Sequence, residues 1–493
     1  MTKKRNLKLL LPAVLTGMLA SPNVFAVTLE ELAEQMKQLA AENAELRQKV
    51  EKLEAADQSK TEPVSTKKVA AKAEPSATEP AKSSSANTSQ VVRVNHKHSY
   101  DMLDATSNIN RKQLLLLENK KSGEIAANSV YLGGAVTAIA DYNKSNTESK
   151  FGYLMRHPTA NNQRTDTVSE ALVHSAQLSL TGNMGDWVTA YFEALYDPEQ
   201  SFGAGTNTSI DRNQVQMRKA YVLFGNLEKS PLYASIGKMA TPFGLTDTVN
   251  PFTASTVWHA FGGLAYGLQG GYSGNGLNVS AMAVQGGAQF RAHNVPVDDS
   301  NVPSKLNNFV LDANYTIAGS TMIGASYTKG SAYCQDFPVT HHSSCTDANP
   351  AYDVYLQSHL GDWMFIAEYA ETGDEWPGTF NPTIPQYAAS KVTSWDIGGR
   401  YAAKLFGKPG YVSMDFSRFI AGPSGAPWEK QDQFVIGLSS FLTPSVKLFG
   451  EYVHTEGYAP LNFISGGNEG PGQTHSDSDA KSDLLMFGVN AAF

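Results

Sequence analysis

From Val130 to Phe493 the chain repeats one pattern: runs of about ten residues in which apolar and polar side chains alternate. Alternation places one set of side chains on each face of a strand. The first eight runs are Val130–Tyr142, Ala171–Gly182, Trp187–Tyr196, Val215–Gly225, Leu232–Met239, Leu264–Ser273, Leu277–Gln285 and Asn308–Thr316. The other eight are Ser320–Thr328, Tyr352–Leu360, Trp363–Glu371, Thr393–Lys404, Gly410–Ile420, Asp432–Leu442, Ser445–His454 and Lys481–Phe493. The connections alternate between short and long. Short ones such as Gly274–Gly276, Gly361–Asp362 and Thr443–Pro444 carry the Gly, Pro, Asn and Asp of tight turns. An even strand number returns both ends to the side of the short turns. The pattern predicts an all-β membrane barrel of about sixteen antiparallel transmembrane strands.

Within single strands the two faces are chemically distinct. Trp395, Ile397, Gly399, Tyr401 and Ala403 share one side, and Asp396, Arg400 and Lys404 the other. Phe434, Ile436, Leu438, Ser440 and Leu442 share a side of their strand. A lipid-facing exterior and a polar lumen account for this division.

The residues before the barrel follow other periods. Lys3, Lys4, Arg5 and Lys8, the apolar stretch Leu9–Ala20 and the small-residue site Val24-Phe25-Ala26 read as a signal peptide over residues 1–26. No Cys follows the cut, so a lipoprotein anchor is not expected. Over residues 27–56, Leu29, Met36, Asn43 and Val50 are seven apart, and Leu32, Leu39, Leu46 and Leu53 follow at an offset of three. These are the a and d positions of a short coiled coil, with Asn43 as the polar residue that sets register. Residues 57–100, rich in Ala, Lys, Ser, Thr, Pro and Glu, read as a disordered linker. Residues 101–129, with Leu114–Leu117, are expected to hold a short helix before the barrel at 130–493. The coiled coil implies a homo-oligomer but does not itself choose between dimer and trimer; a trimer is favoured, with this helix in the periplasm.

Composition narrows the function classes. Beyond the signal peptide no run of about eighteen apolar residues occurs, so a helical membrane protein is excluded. The chain carries 41 Gly, 21 Tyr and 22 Phe, and its net charge of -8 argues against a nucleic-acid partner. Cys334 and Cys345 are expected to form one disulfide closing a small loop that holds His341-His342. His pairs without carboxylate or thiol neighbours are a weak metal signal, and no motif binds the strand histidines into a catalytic set. No metal, cofactor or enzymatic activity is expected. The candidate pore residues are therefore Asp396, Arg400 and Lys404, placed inward by alternation, and Arg218 and Lys238, on strands whose two faces are ambiguous, with Glu193 and Glu368 as counter-charges. Trp376, Phe380, Tyr387 and Trp428 are aromatics of the outer loops, available to a flat ligand or to an interfacial girdle.

Three resemblances sharpen these expectations. Phe493, with Ala491, Val489, Phe487 and Leu485 before it, resembles the C-terminal sorting signal read by the barrel-assembly machinery. Gly237-Lys238-Met239-Ala240-Thr241-Pro242-Phe243-Gly244 resembles a strand-end stretch of trimeric phosphate-selective and dicarboxylate porins. It leads into the connection Ala240–Gly263. In sixteen-strand porins this third loop narrows the pore, which makes Asp247, Asn250, Trp258 and His259 constriction candidates. The order of signal, coiled coil, linker and barrel resembles the siderophore porins of the legiobactin-receptor type (LbtU-like). That resemblance implies ferric siderophore uptake across the outer membrane of a Gram-negative bacterium by facilitated diffusion. A general or anion-selective porin for small solutes such as phosphate or dicarboxylates, and a structural barrel tethered through its coiled coil, are the alternatives. Energy-coupled iron receptors instead carry a plug and a larger barrel of about 22 strands. The region before this barrel is read as having no room for a plug.

Overall fold

The structure is a computed structural model that describes residues 92–148, 150–152, 165–196, 215–285, 305–336, 347–380, 384–459 and 474–493. The signal peptide, the heptads with Asn43 and the linker up to residue 91 lie outside the described residues.

Two helices precede the barrel: α1 (His96–Leu103) and α2 (Lys112–Lys121), after a two-residue strand β1 (Val92–Arg93). The barrel strands follow. They are β2 (Ser129–Ser145), β3 (Thr167–Met184), β4 (Val188–Tyr196), β5 (Val215–Gly225), β6 (Leu232–Ala240), β7 (Leu264–Gly274), β8 (Leu277–Gln285) and β9 (Leu306–Ile317). The second half is β10 (Thr321–Thr328), β11 (Ala351–Leu360), β12 (Trp363–Thr372), β13 (Thr393–Leu405), β14 (Lys408–Ile420), β15 (Lys430–Thr443), β16 (Val446–Tyr458) and β17 (Asp477–Ala492). Helix α3 (Thr256–Phe261) lies between β6 and β7.

Each strand from β2 to β17 pairs antiparallel with the next, and β17 pairs with β2 from Ser482↔Ser145 to Ala492↔Ala135. The sheet therefore closes as a sixteen-strand barrel and leaves no edge. β1 adds a short parallel contact at Val92↔Val130. All sixteen alternating runs become strands. Most extend a few residues past the sequence limits, where the polar ends still pair.

The short connections are tight turns. Asn275-Gly276, Ala318-Gly319 and Phe406-Gly407 each hold two successive positive φ values, the geometry that matches strand twist in two-residue hairpins. Gly fills the second position each time because it adopts that conformation without a Cβ clash.

The outer face is apolar. Leu178, Leu180, Phe192, Ile236, Leu268, Leu311, Val354, Ile397, Met414, Ile436, Leu485 and Phe487 are all exposed. Exposed Tyr142, Tyr352 and Tyr369 lie toward the long-loop ends of their strands, and Trp187, Tyr315, Trp363 and Tyr401 toward the short-turn ends. Two aromatic levels around an apolar band are the surface a bilayer requires. Among the described residues no helix is long and apolar enough to cross a membrane.

The lumen is not empty, and here the sequence reading needs correction. Helix α1 begins at His96, inside the stretch read as linker, and residues 92–128 fold within the barrel as a small plug. Asn95 caps α1, its side chain accepting from the His98 N–H at 3.1 Å. Lys120 and Lys121 in the last turn of α2 favour its C-terminal dipole. Met102, Leu103, Leu114, Leu116, Leu117 and Ile125 are buried. Burying each large apolar side chain contributes roughly 1.5–3 kcal/mol toward holding the segment against the wall. Leu117 sits where a Cβ on Gly225 would meet it at 3.0 Å, so that glycine provides its seat.

Candidate functional site

Residues 241–263, between β6 and β7, fold inward, and almost all are buried. Polar groups of the wall hold them. Glu368 accepts from the Thr246 N–H at 3.0 Å, and Glu451 accepts from the Phe252 N–H at 2.7 Å and the Thr253 N–H at 3.0 Å. The Thr256 N–H donates to Ser417 Oγ at 3.1 Å, and Gln433 Nε2 donates to the Ala254 carbonyl at 2.9 Å. Two glycines make room on the wall. A Cβ on Gly398 would lie 2.6 Å from Val249, and one on Gly437 would lie 2.5 Å from Pro251. Ser255 caps α3 by accepting from the Trp258 N–H at 3.3 Å.

The plug docks on this inward loop. Asp247 accepts from the Asn108 and Ile109 N–H groups at 2.9 Å each and pairs with the Arg111 guanidinium at 2.9 Å. Burial would lower the Arg111 pKa, but Asp247 and other nearby acids outweigh it and raise it above the ordinary value. Asn110 Nδ2 donates to the Phe243 and Gly244 carbonyls at 2.6 and 3.1 Å, and the Thr248 N–H donates to the Thr106 carbonyl at 3.0 Å. Asp247 is thus a latch between two inner pieces.

Between loop, plug and wall lies a chamber of about 140 Å³. Arg218, Lys219, Lys238 and Lys447 line it, with Asp104 the lone acidic lining residue among the described residues. Behind them Glu193 pairs with Arg218 at 3.4 Å and Lys219 at 3.5 Å. With Glu193 counted, two positive charges remain in excess. Lys238 Nζ donates to the Met217 carbonyl at 3.1 Å, and Lys447 Nζ to the Pro251 carbonyl at 2.8 Å. Carbonyl partners fix these ammonium groups without neutralising them. Trp258, Phe252, Phe449 and His174 supply an aromatic part of the wall.

Two bulges aim the chamber residues. On β3, Thr137 pairs with Ser175 and Ala138 with Val173, so His174 is the extra residue. On β5, Lys219 pairs with Glu193 and Met217 with Ala194, so Arg218 is the extra residue. A bulge breaks alternation and turns two successive side chains to one face. His174 with Ser175, and Arg218 with Lys219, accordingly line the chamber together.

A second cavity, of about 360 Å³, opens toward the short-turn end. Tyr100, Thr106, Ser107, His359, Trp363, Arg400 and Tyr411 line it. Arg400 lies 4.8 Å from the Tyr411 ring centre, in cation–π geometry. Asp104 and Thr106 line both cavities.

The candidate residues therefore separate. Arg218, Lys238 and Trp258 meet in the chamber, and Arg400 belongs to the second cavity. His259 is buried in α3, ring against Trp258, and is absent from the chamber wall. Asp396 is buried beneath the inward loop, in neither cavity. Lys404 is exposed at the end of β13. The lumen is not uniformly basic: Asp312, Asp353, Glu368, Asp396, Asp415 and Glu451 form a buried acidic sector from β9 to β16. Trp376, Trp428 and Tyr387 form neither a girdle nor an open ligand surface. Trp376 and Trp428 are fully buried in the mouth, with Tyr387 packed against Trp428. Cys334 is disulfide-bonded, and the chain's other cysteine, Cys345, lies outside the described residues with His341-His342. Among the described residues no group of three or more His, Cys, Asp or Glu could hold a metal. Lys219, Lys447, His174 and Asp104 were not singled out as pore residues from sequence. Nothing in a strand pattern marks a bulge, and Asp104 precedes the barrel.

No family model matches the chain. A Coxiella burnetii (strain RSA 493 / Nine Mile phase I) protein described as "UPF0422 protein" is 23% identical over 309 residues, spanning 61% of this chain and 62% of that protein's length. Among solved structures, the outer membrane channel DcaP of Acinetobacter baumannii has a TM-score of 0.46 at 13% identity, covering 74% of this chain and 97% of its own. An anion-selective porin from Comamonas acidovorans has a TM-score of 0.45 at 12% identity, covering 74% of this chain and 99% of its own. Pseudomonas putida OprB has a TM-score of 0.46 at 10% identity, covering 73% of this chain and 94% of its own.

Proposed function

We propose that this protein is an outer-membrane channel that admits small anionic solutes by facilitated diffusion. The observation that carries the reading is the chamber, where Arg218, Lys219, Lys238 and Lys447 outnumber Asp104 and Glu193. The closed wall and apolar exterior support a bilayer position. Cationic side chains in a narrow, water-poor passage attract anions and repel cations. With the short turns toward the periplasm, solute enters past the long loops, crosses the chamber beside Trp258 and leaves through the Arg400 cavity. Passive passage needs no enzymatic chemistry. The heptads around Asn43 suit a homo-oligomer, for which a trimer is favoured, and Phe493 suits delivery by the barrel-assembly machinery.

The test is single-channel conductance of the full mature chain in a planar bilayer under a KCl gradient. The reading requires a reversal potential on the chloride side. Cation selectivity, or a silent membrane with correctly folded protein, removes it.

Ferric siderophore is the second reading, and one observation favours it. The plug is held at its centre by the Asp247 latch, so a larger passage is available if the latch releases. Block by a ferric siderophore, and not by its iron-free form, distinguishes this reading from that of a small-anion channel.

A further inference from the structure

Resting on the anion-channel reading, we propose that Asp104 is a built-in carboxylate that occupies the solute's own path. The solutes that displace it are small organic carboxylates. The turn Asp104–Ser107 opens the connection between α1 and α2, and Asp104 and Thr106 line both the chamber and the short-turn cavity. Solute moving from one to the other must pass this turn. Asp104 folds the turn around itself. Its Oδ1 accepts from the Thr106 N–H at 3.1 Å and the Thr106 hydroxyl at 2.8 Å, and its Oδ2 accepts from the Ser107 hydroxyl at 2.7 Å.

The carboxylate also shares the chamber wall with Lys447, a cation that a solute would use. Burial alone would push the Asp104 carboxyl up, but the Lys447 and Lys112 ammonium groups outweigh it and hold it below the ordinary range. Lys447 is a chamber residue, hydrogen-bonded to the inward loop at Pro251 and 5.6 Å from the Tyr100 ring centre. Lys112 is fixed below the turn, donating to the Asp101 carbonyl and to the Ser107 carbonyl at 3.0 Å. A carboxylate that lines both cavities and is kept ionised by the charge of two held ammonium groups marks a place suited to a carboxylate. An arriving solute that engages Lys447 weakens the hold on Asp104 and frees the turn. The apolar part of the chamber at Phe252, Trp258 and Phe449 adds room for a short carbon skeleton.

The experiment uses the full mature chain in planar bilayers, with succinate as the probe. Two quantities are read: the chloride-to-potassium selectivity and the succinate concentration that halves the current. D104N removes the competing charge and keeps the size. It is expected to lower the half-blocking succinate concentration several-fold and to shift selectivity further toward chloride. D104E is expected to return both toward wild type. T106A removes a hydroxyl from the turn and leaves the charge, so selectivity should stay at the wild-type value. D104N values matching wild type would overturn the proposal. So would T106A reproducing D104N, since loosening of the turn would then suffice. A wild-type channel that is silent or cation-selective defeats the channel reading itself, and this proposal falls with it.

Discussion

The inward loop and the plug both occupy the lumen, but they are held differently. The loop's backbone is bonded to the wall along its length, by Ser326, Glu368, Ser417, Gln433 and Glu451 on five different strands. Its seats at Gly398 and Gly437 leave no clearance for movement. The plug has fewer polar ties to the wall. His98 Nε2 meets Thr181 Oγ1 at 3.1 Å, Lys120 Nζ donates to Thr189 at 3.3 Å, and Asn183 donates to the Ala126 carbonyl at 2.9 Å. Its centre, Thr106 to Arg111, hangs on the loop instead. The loop is thus part of the barrel, whereas the plug is a tenant of the loop. A fixed constriction sets selectivity, and a separately held plug can set how much of the lumen is open.

The largest effect should come from removing the tenant. Replacing residues 92–128 by a Gly/Ser linker is expected to raise single-channel conductance several-fold while the barrel still folds. Anion selectivity should fall because Asp104, Arg111 and Lys112 leave together. Unchanged conductance in a folded barrel would mean that the loop alone limits flow, and the comparison would collapse.

A smaller effect should follow from Asp247→Ala. Breaking a buried ion pair by removing one partner costs about 3–5 kcal/mol, because the other charge stays buried and unpaired. Here the Asn108 and Ile109 N–H groups also lose their acceptor. Intermittent openings should appear, and a cysteine placed at Ser107 should become reactive toward a water-soluble maleimide. A cysteine at Thr248, on the loop, should stay protected. Equal exposure of both would show that the two pieces move as one.

Acidification should act on the plug more gently. Burial holds the His98 imidazole down to about 4, against its ordinary 6.5; nearby Glu124 opposes this and Lys97 adds to it. The docked His98 therefore stays neutral where an undocked one takes up a proton. Docking is fully favoured above pH 6.5 and weakens as pH falls toward 4. Conductance at pH 5 should exceed that at pH 7.5, and His98→Gln should flatten the difference. An unchanged pH response in that variant would place the titrating group elsewhere.

Much of the wall was legible because membrane barrels impose period two on every strand. Val215–Gly225 and Leu277–Gln285 were located to the residue. The inward connection after Pro242-Phe243-Gly244 was also legible, from a local motif. The chamber was less so. Arg218 was assigned to the lumen with an ambiguous strand face, and the ambiguity was physical: a bulge at Arg218 turns Lys219 inward beside it. The plug was missed for a different reason. Its apolar residues are few, and Lys112, Gln113 and Asn119 are buried among them. Residues up to 100 read as linker and 101–129 as a short helix before the barrel; neither reading puts them inside the lumen, where the wall supplies partners for their polar groups. Latch pairing between Asp247 and Arg111 joins residues 136 apart in sequence, beyond any local pattern.

The smallest effect separates two cations that alternation placed on one face. Arg400 lines the short-turn cavity against Tyr411, whereas Lys404 is exposed near the turn at Phe406-Gly407. An exposed charge at the rim is screened over about 10 Å at 0.1 M salt. Lys404→Glu should therefore leave reversal potential and conductance near wild type in 1 M KCl, with a modest loss of chloride selectivity only in dilute salt. Arg400→Glu should reduce chloride selectivity in both, because its site is narrower and drier. If the two variants behave alike in 1 M KCl, the ion path runs past the rim rather than through the Arg400 cavity, and the exit would have to be redrawn along the other side of α1.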